Sequence, residues 1–266
     1  MSAIPRPDAS ILLREDRDGV CTLTLNRPGQ MNLLTTEMLE ALQEAFDAIS
    51  ADKRVRVVVL AANGKAFSAG HDVKEIRALK ELPKIQELFG RCSRMMQTIT
   101  LLPQPVIARV QGVAAAAGCQ LVAQCDLAVA STEARFAVSG VNYGLFCATP
   151  SVPLLRNVSP KQAMEMLVTG GFIAATEAQA RGLVNHAVAP EQLDAAIEQL
   201  VQSILAKPRV ALAMGKELFY RQREMGIEAA YQLATQTMAA NMMEECALEG
   251  VTAFTEKRKP AWAAAA

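Results

Sequence analysis

Short runs of β-branched and other apolar residues alternate along the chain with longer segments in which apolar side chains recur every three to four positions. The runs 19–26 (GVCTLTLN), 55–62 (VRVVVLAA), 105–112 (PVIARVQG) and 126–131 (DLAVAS) predict strands. Segments 135–138 and 183–188 predict weaker ones. Between them, 36–50 places Met38, Leu39, Leu42, Phe46 and Ile49 on one helical face, and 82–102 behaves similarly. Segment 159–170 predicts a helix with Ser159 at its N-cap, Pro160 in its first turn and Gly170 past its end. Segment 176–182 predicts another, opened by a capping box of Thr176 and Gln179. Beyond residue 190 the strand pattern stops. Helical segments follow at 191–206, 209–224, 226–245 and 249–259. The pattern implies an α/β fold: a core over 1–190 and a C-terminal helical region over 191–266.

Composition sharpens this picture mainly by exclusion. Hydrophobic residues make up 51% of the 266 and charged residues 20%, enough for a substantial core. Twenty-seven basic and twenty-seven acidic residues cancel, which argues against nucleic acid or an anionic membrane as partner. Six scattered cysteines without a C-x-x-C pair, and two distant histidines (His71 and His186), give no metal-ligand spacing. The opening MSAIPRPDASILLRED carries acids early and lacks an apolar core, so the expected compartment is cytoplasmic.

Two turns carry the candidate chemistry. In 63–76 (NGKAFSAGHDVKEI) a buried strand narrows to Ser68, Ala69 and Gly70 before a helical pattern. In 111–120 (QGVAAAAGCQ) small residues again follow a strand and lead into a helix, whose N-terminal N–H groups favour negative charge. Turns of small residues before a helix also serve plain helix–strand packing. If these two converge, they offer two backbone donors to one carbonyl oxygen, an oxyanion hole.

The segments NRPGQMNLL (26–34), GKAFSAGHDVKE (64–75), PVIARVQGVAAAAGCQLVAQCDLAVAS (105–131) and GVTAFTEKRKP (250–260) resemble, in order, the crotonase or enoyl-CoA hydratase/isomerase superfamily. The resemblance implies a spiral of ββα units with a C-terminal helical region, assembled as homotrimers or dimers of trimers. It implies an acyl-CoA thioester as ligand, with coenzyme A part of the substrate and no separate cofactor. Carried over residue by residue, the oxyanion-hole N–H groups fall on His71 and Ala117. Arg27, Gln30, Met31, Ala69, Asp72, Val73, Ala116 and Gly118 fall in the acyl-CoA groove. Phe254 and Lys257 match positions that bind CoA across subunits in some members.

The chain departs from the pattern at its acid–base groups. The two glutamates that hydratases of this superfamily use fall on Gln120 and Gly140. An amide can hydrogen-bond, but it takes no proton at neutral pH. Hydration of 2-enoyl-CoA is therefore expected to be weak or absent. Another CoA-ester reaction (thioester hydrolysis, isomerisation or decarboxylation) and a non-catalytic acyl-CoA-binding role stay open. The His71 imidazole is read either as a proton partner or as a steric side chain. Cys119 is read as packing, and 146–155 (FCATPSVPLL) as an apolar wall.

Overall fold

The computed structural model describes residues 10–263, so most of the opening segment read above lies outside the described residues. A hairpin begins the fold. Strand β1 (Leu12–Arg17) pairs antiparallel with β2 (Val20–Leu25), whose inward side chains Cys21, Leu23 and Leu25 are fully buried. Sequence periodicity missed β1 because its side chains beyond Leu12 are solvent-exposed. Helix α1 (Thr36–Ala51) is capped by Thr35, whose hydroxyl accepts from the Met38 N–H, and it buries the expected apolar stripe.

A repeating unit follows: a strand of the large sheet, a strand of a smaller one, then a helix. Its first instance is β3 (Val57–Ala62), β4 (Ala66–Ser68), α2 (Val73–Leu79) and the long α3 (Leu82–Leu101). Its second is β5 (Val106–Val110), β6 (Val113–Ala115) and α4 (Ala117–Gln124). Its third is β7 (Leu127–Ser131), β8 (Arg135–Ala137), a 3-10 turn at Ser139–Tyr143 and α5 (Ala148–Asn157). Then come α6 (Pro160–Thr169), β9 (Ile173–Ala174), α7 (Ala175–Ala180) and β10 (His186–Val188). The chain closes with α8 (Leu193–Leu205), α9 (Arg209–Gln222), α10 (Ile227–Met242) and α11 (Glu245–Thr255).

The large sheet runs β1-β2-β3-β5-β7-β10 and is parallel apart from β1. The small sheet runs β4-β6-β8-β9, with only β9 antiparallel. Strand β3 is buried along its whole length because helices cover both faces. Val58 and Leu60 join the main core with α1 and α3, while Val57 and Val59 meet Leu193, Ile197 and Val201 of α8. Strands β4, β6 and β9 have two or three residues each, too short for a period-2 signal.

One local expectation fails. Helix α7 begins at Ala175 with Ala174 at its N-cap and no side-chain cap. Gln179 turns its carboxamide oxygen instead to the Ala187 N–H, bracing β10 against α7. A tertiary partner outcompetes the local box. Ser159 and Gly170 do bound α6 as expected, Gly170 taking φ 62°.

Candidate active site

Three parallel strands of the small sheet deliver three turns to one side of the fold. Ser68 of β4 pairs with Ala114 of β6, and Ala115 of β6 pairs with Ala137 of β8. Ala69 and His71 therefore leave β4 beside Ala116 and Ala117 leaving β6, with Gly140 following β8. Topology brings together the positions that sequence spaces over seventy residues.

The turns fit only because their side chains are small. A β-carbon on Gly118 would lie 2.1 Å from the Ser68 carbonyl oxygen, and one on Gly112 would lie 2.0 Å from the Lys65 oxygen. Gly70 has φ 91°, and a β-carbon there would stand 3.0 Å from the Ala117 nitrogen. Adding the covalent reach from that carbon to the next peptide nitrogen places the His71 and Ala117 nitrogens within about 7 Å of each other. Ala117 opens α4, so its N–H has no partner within the helix. The His71 N–H has no backbone acceptor among the described residues.

The first turn is strapped in place by Leu34. Its N–H donates to the Gly70 oxygen at 2.8 Å, and its carbonyl accepts from His71 Nδ1 at 3.0 Å. Since a carbonyl only accepts, Nδ1 carries the proton and Nε2 holds a lone pair. Nε2 is buried without a partner. The ring packs edge-on against Phe89, centroids 5.4 Å apart. Burial lowers the His71 pKa, against opposing contributions from the Leu34 hydrogen bond and the Glu75 charge. The imidazole is neutral at pH 7.

The second turn stores strain. Ala116 sits at φ 49°, ψ −117°, a region that favours glycine. The Ala116 N–H donates to the Ala137 oxygen at 2.8 Å, and its carbonyl accepts from the Gln120 N–H at 3.0 Å. Those bonds hold the backbone that orients the Ala117 N–H.

Of the two positions that the resemblance assigns to the missing glutamates, Gln120 is 3% exposed, and its Oε1 has no hydrogen-bond partner. It lines a solvent-open cleft of about 540 Å³ between α3, α4, α5 and α9. Thr149, Val152 and Pro153 of the expected apolar wall face the same space, as residues of α5. Gly140 is buried, with its N–H donating to Cys147 Sγ at 3.2 Å. Burial pushes the Cys119 thiol up to about 12 and raises Cys147 as well, so neither is a thiolate near neutrality.

Arg27, Gln30 and Asp72 line a second groove of about 550 Å³. Met31 and Val73 flank this stretch as exposed side chains, and the Ala69 N–H donates to the Met31 oxygen at 3.0 Å. Glu37, Glu40 and Glu75 also line the groove, leaving Arg27 as the only basic lining residue among the described residues. Asp72 caps α2 through the Lys74 N–H at 2.8 Å. Phe254 and Lys257 line neither space. Phe254 projects from α11, 84% exposed, and Lys257 follows that helix at φ 55°.

Three contributors escaped the sequence reading. Asn32, fully buried at φ 50°, accepts from the Arg27 N–H and donates to the Asn63 and Ala66 oxygens, tying the groove loop to β4. Glu75 accepts from the Thr36 N–H and hydroxyl. Lys216 of α9 sits 9% exposed, its Nζ donating to Asp126 Oδ2 at 2.6 Å and to the Ile99 and Gln104 oxygens at 2.8 Å. Tyr220 donates to the other Asp126 oxygen at 2.7 Å. Asp126, read from sequence as a strand start, anchors α9 to the core. A buried lysine inside an amphipathic helix pattern gives no signal until its carboxylate partner is located.

Comparison with known proteins agrees with this architecture. The family model described as enoyl-CoA hydratase/isomerase matches residues 15–265. The chain is 42% identical to the human mitochondrial enoyl-CoA hydratase domain-containing protein 3 over 260 residues, 97% of this chain and 84% of that one. It superimposes on the crystal structure of an enoyl-CoA hydratase from Mycobacterium smegmatis with a TM-score of 0.94 and 60% identity, covering 96% of this chain and 99% of that one. For the crystal structure of the human domain-containing protein 3 the TM-score is 0.92 at 40% identity, covering 95% of this chain and 100% of that one. The cytoplasmic expectation is corrected here. The human relative and its counterparts from frog, rat, mouse and zebrafish are all named as mitochondrial proteins. Matched over nearly its whole described length, and with the ββα spiral in place, the chain belongs to the enoyl-CoA hydratase/isomerase (crotonase) family.

Proposed function

We propose that this protein binds an acyl-CoA thioester with its carbonyl oxygen between the N–H groups of His71 and Ala117, and hydrates 2-enoyl-CoA weakly or not at all. The observation that carries the reading is the contact of Gly70 with Ala117 at the ends of adjacent parallel strands, next to an amide at position 120 and a bare glycine at 140. Each donor of an oxyanion hole is worth roughly 10²–10³ in rate. Each general acid–base group adds about 10²–10⁴. Keeping the donors and losing both carboxylates preserves binding and polarisation while removing proton transfer. Coenzyme A enters as part of the ligand, with Arg27, Gln30 and Asp72 along its groove. Calorimetry with crotonyl-CoA, beside its hydration followed by absorbance, tests the reading: binding without vigorous turnover is expected, and rapid hydration contradicts it.

A second reading draws on His71, whose neutral imidazole carries an unpaired Nε2 lone pair. Such a group can accept a proton in isomerisation, decarboxylation or hydrolysis of a CoA ester. A panel of CoA esters assayed with His71→Ala decides it, since an activity untouched by that change removes the histidine.

The exposed apolar side chains Ile227, Tyr231, Met238 and Met243 on and just after α10, with Val251 and Phe254 on α11, support association of region 191–266 into homotrimers or paired trimers. Light scattering at micromolar concentration checks this, and a monomer contradicts it.

A further inference from the structure

The directions in which Ala116 points are fixed by its neighbours. Its N–H donates to the Ala137 oxygen in β8 at 2.8 Å, and its carbonyl runs along α4 to the Gln120 N–H at 3.0 Å. Its β-carbon turns the other way, toward β4. That carbon lies 3.0 Å from the position a β-carbon on Gly70 would take, and the Ala117 nitrogen lies 3.0 Å from the same position. A trans peptide sets its N–H opposite its C=O, so the Ala117 N–H leaves the helix end, away from Gln120. The Ala116 methyl therefore stands on the β4 side of that N–H, toward the turn that carries the His71 N–H.

The neighbouring positions leave this space to the methyl. Gly70 and Gly118 have no side chain, and the His71 imidazole is turned away to the Leu34 oxygen and to Phe89. From Ala114 to Ala123 every residue is buried except Ala116, which is partly exposed. Glycine would hold φ 49°, ψ −117° with less strain. The backbone of the turn does not require a β-carbon, yet one lies where a group held by both donors must sit.

Resting on the acyl-CoA reading above, we infer that the Ala116 methyl sets the acyl specificity of the site: it admits thioesters unbranched at the α-carbon and rejects those with a tetrahedral branch there. A carbonyl oxygen bonded to both N–H groups sits about 3 Å from each nitrogen, which brings the thioester plane down over the methyl. The α-carbon is one bond beyond the carbonyl carbon. A CH₂ presents only hydrogens at that point, and the trigonal carbon of a 2-enoyl group is flat. A methyl branch on a tetrahedral α-carbon projects out of the plane and meets the Ala116 β-carbon. One carbon too many against a rigid wall corresponds to roughly tenfold or more in affinity.

Butyryl-CoA and isobutyryl-CoA contain the same atoms and differ only in that branch. Isothermal titration calorimetry of the full chain with both esters tests the inference, in wild type and in Ala116→Gly, with circular dichroism confirming the fold. Wild type should bind the straight ester at least tenfold more tightly, and in Ala116→Gly the ratio should fall to about threefold or less. Should the glycine variant misfold, Ala116→Ser, larger by one oxygen, should widen the wild-type ratio. Equal wild-type affinities, a ratio kept in Ala116→Gly, or one not widened in Ala116→Ser would overturn the inference while leaving the thioester reading standing. Failure of wild type to bind either ester overturns both.

Discussion

A β-carbon on Gly140 would lie 2.2 Å from the carbonyl oxygen of Leu145 and 2.8 Å from Cys147 Sγ. Backbone and a thiol fill the space that a side chain would need at the position the resemblance assigns to the second glutamate. Gly140→Ala should therefore destabilise the fold by about 1–3 kcal/mol, read as a lower urea midpoint at unchanged m. Gln120→Glu alone should give no vigorous crotonyl-CoA hydration, because the second carboxylate stays absent. Gly140→Glu should destabilise without restoring it.

Ala116 pays for the orientation of the Ala117 N–H with a φ of 49°. Ala116→Gly relieves that strain but adds freedom to the unfolded chain, and the strain is the larger effect. A gain of about 1 kcal/mol is expected in denaturant unfolding. A loss would mean that the methyl packs better than the backbone geometry suggests.

Lys216 and Asp126 form a buried pair at 2.6 Å, and burial lowers the lysine pKa while the aspartate opposes the shift. Lys216→Met strands the Asp126 carboxylate and should cost about 3–5 kcal/mol. Pairing it with Asp126→Asn should recover part of that loss, in a double-mutant cycle measured by chemical denaturation.

His71 makes folding pH-dependent. Its folded pKa lies below the ordinary 6.5, so near and below that value the unfolded chain binds more protons than the folded one. Stability is thus lost as pH falls through and below about 6.5. His71→Phe should flatten the stability difference between pH 7.5 and 5.5, and an unchanged slope would show that the ring protonates freely in the fold.

What the sequence made legible follows from physics acting at short range. The strands β3, β5 and β7 are apolar runs because helices cover both faces, and α1 shows its stripe because one side meets the core. Small-residue turns marked where the ends of β4 and β6 meet, since Gly70 and Gly118 must let backbones touch. The groups Asn32, Glu75 and Lys216 were hidden because each acts through a partner 31 or more positions away. The capping box at Thr176 misled for a nearer reason, Gln179 accepting instead from the Ala187 N–H eight positions on, in β10. The acidic lining around Arg27 was equally invisible, as Glu37, Glu40 and Glu75 meet it only once α1 and α2 are packed.

The most direct test is a crystal structure with a non-hydrolysable acyl-CoA analogue. Its carbonyl oxygen should lie about 2.7–3.1 Å from the backbone nitrogens of both His71 and Ala117. An analogue seated elsewhere, or an oxygen bonded to neither nitrogen, contradicts the account.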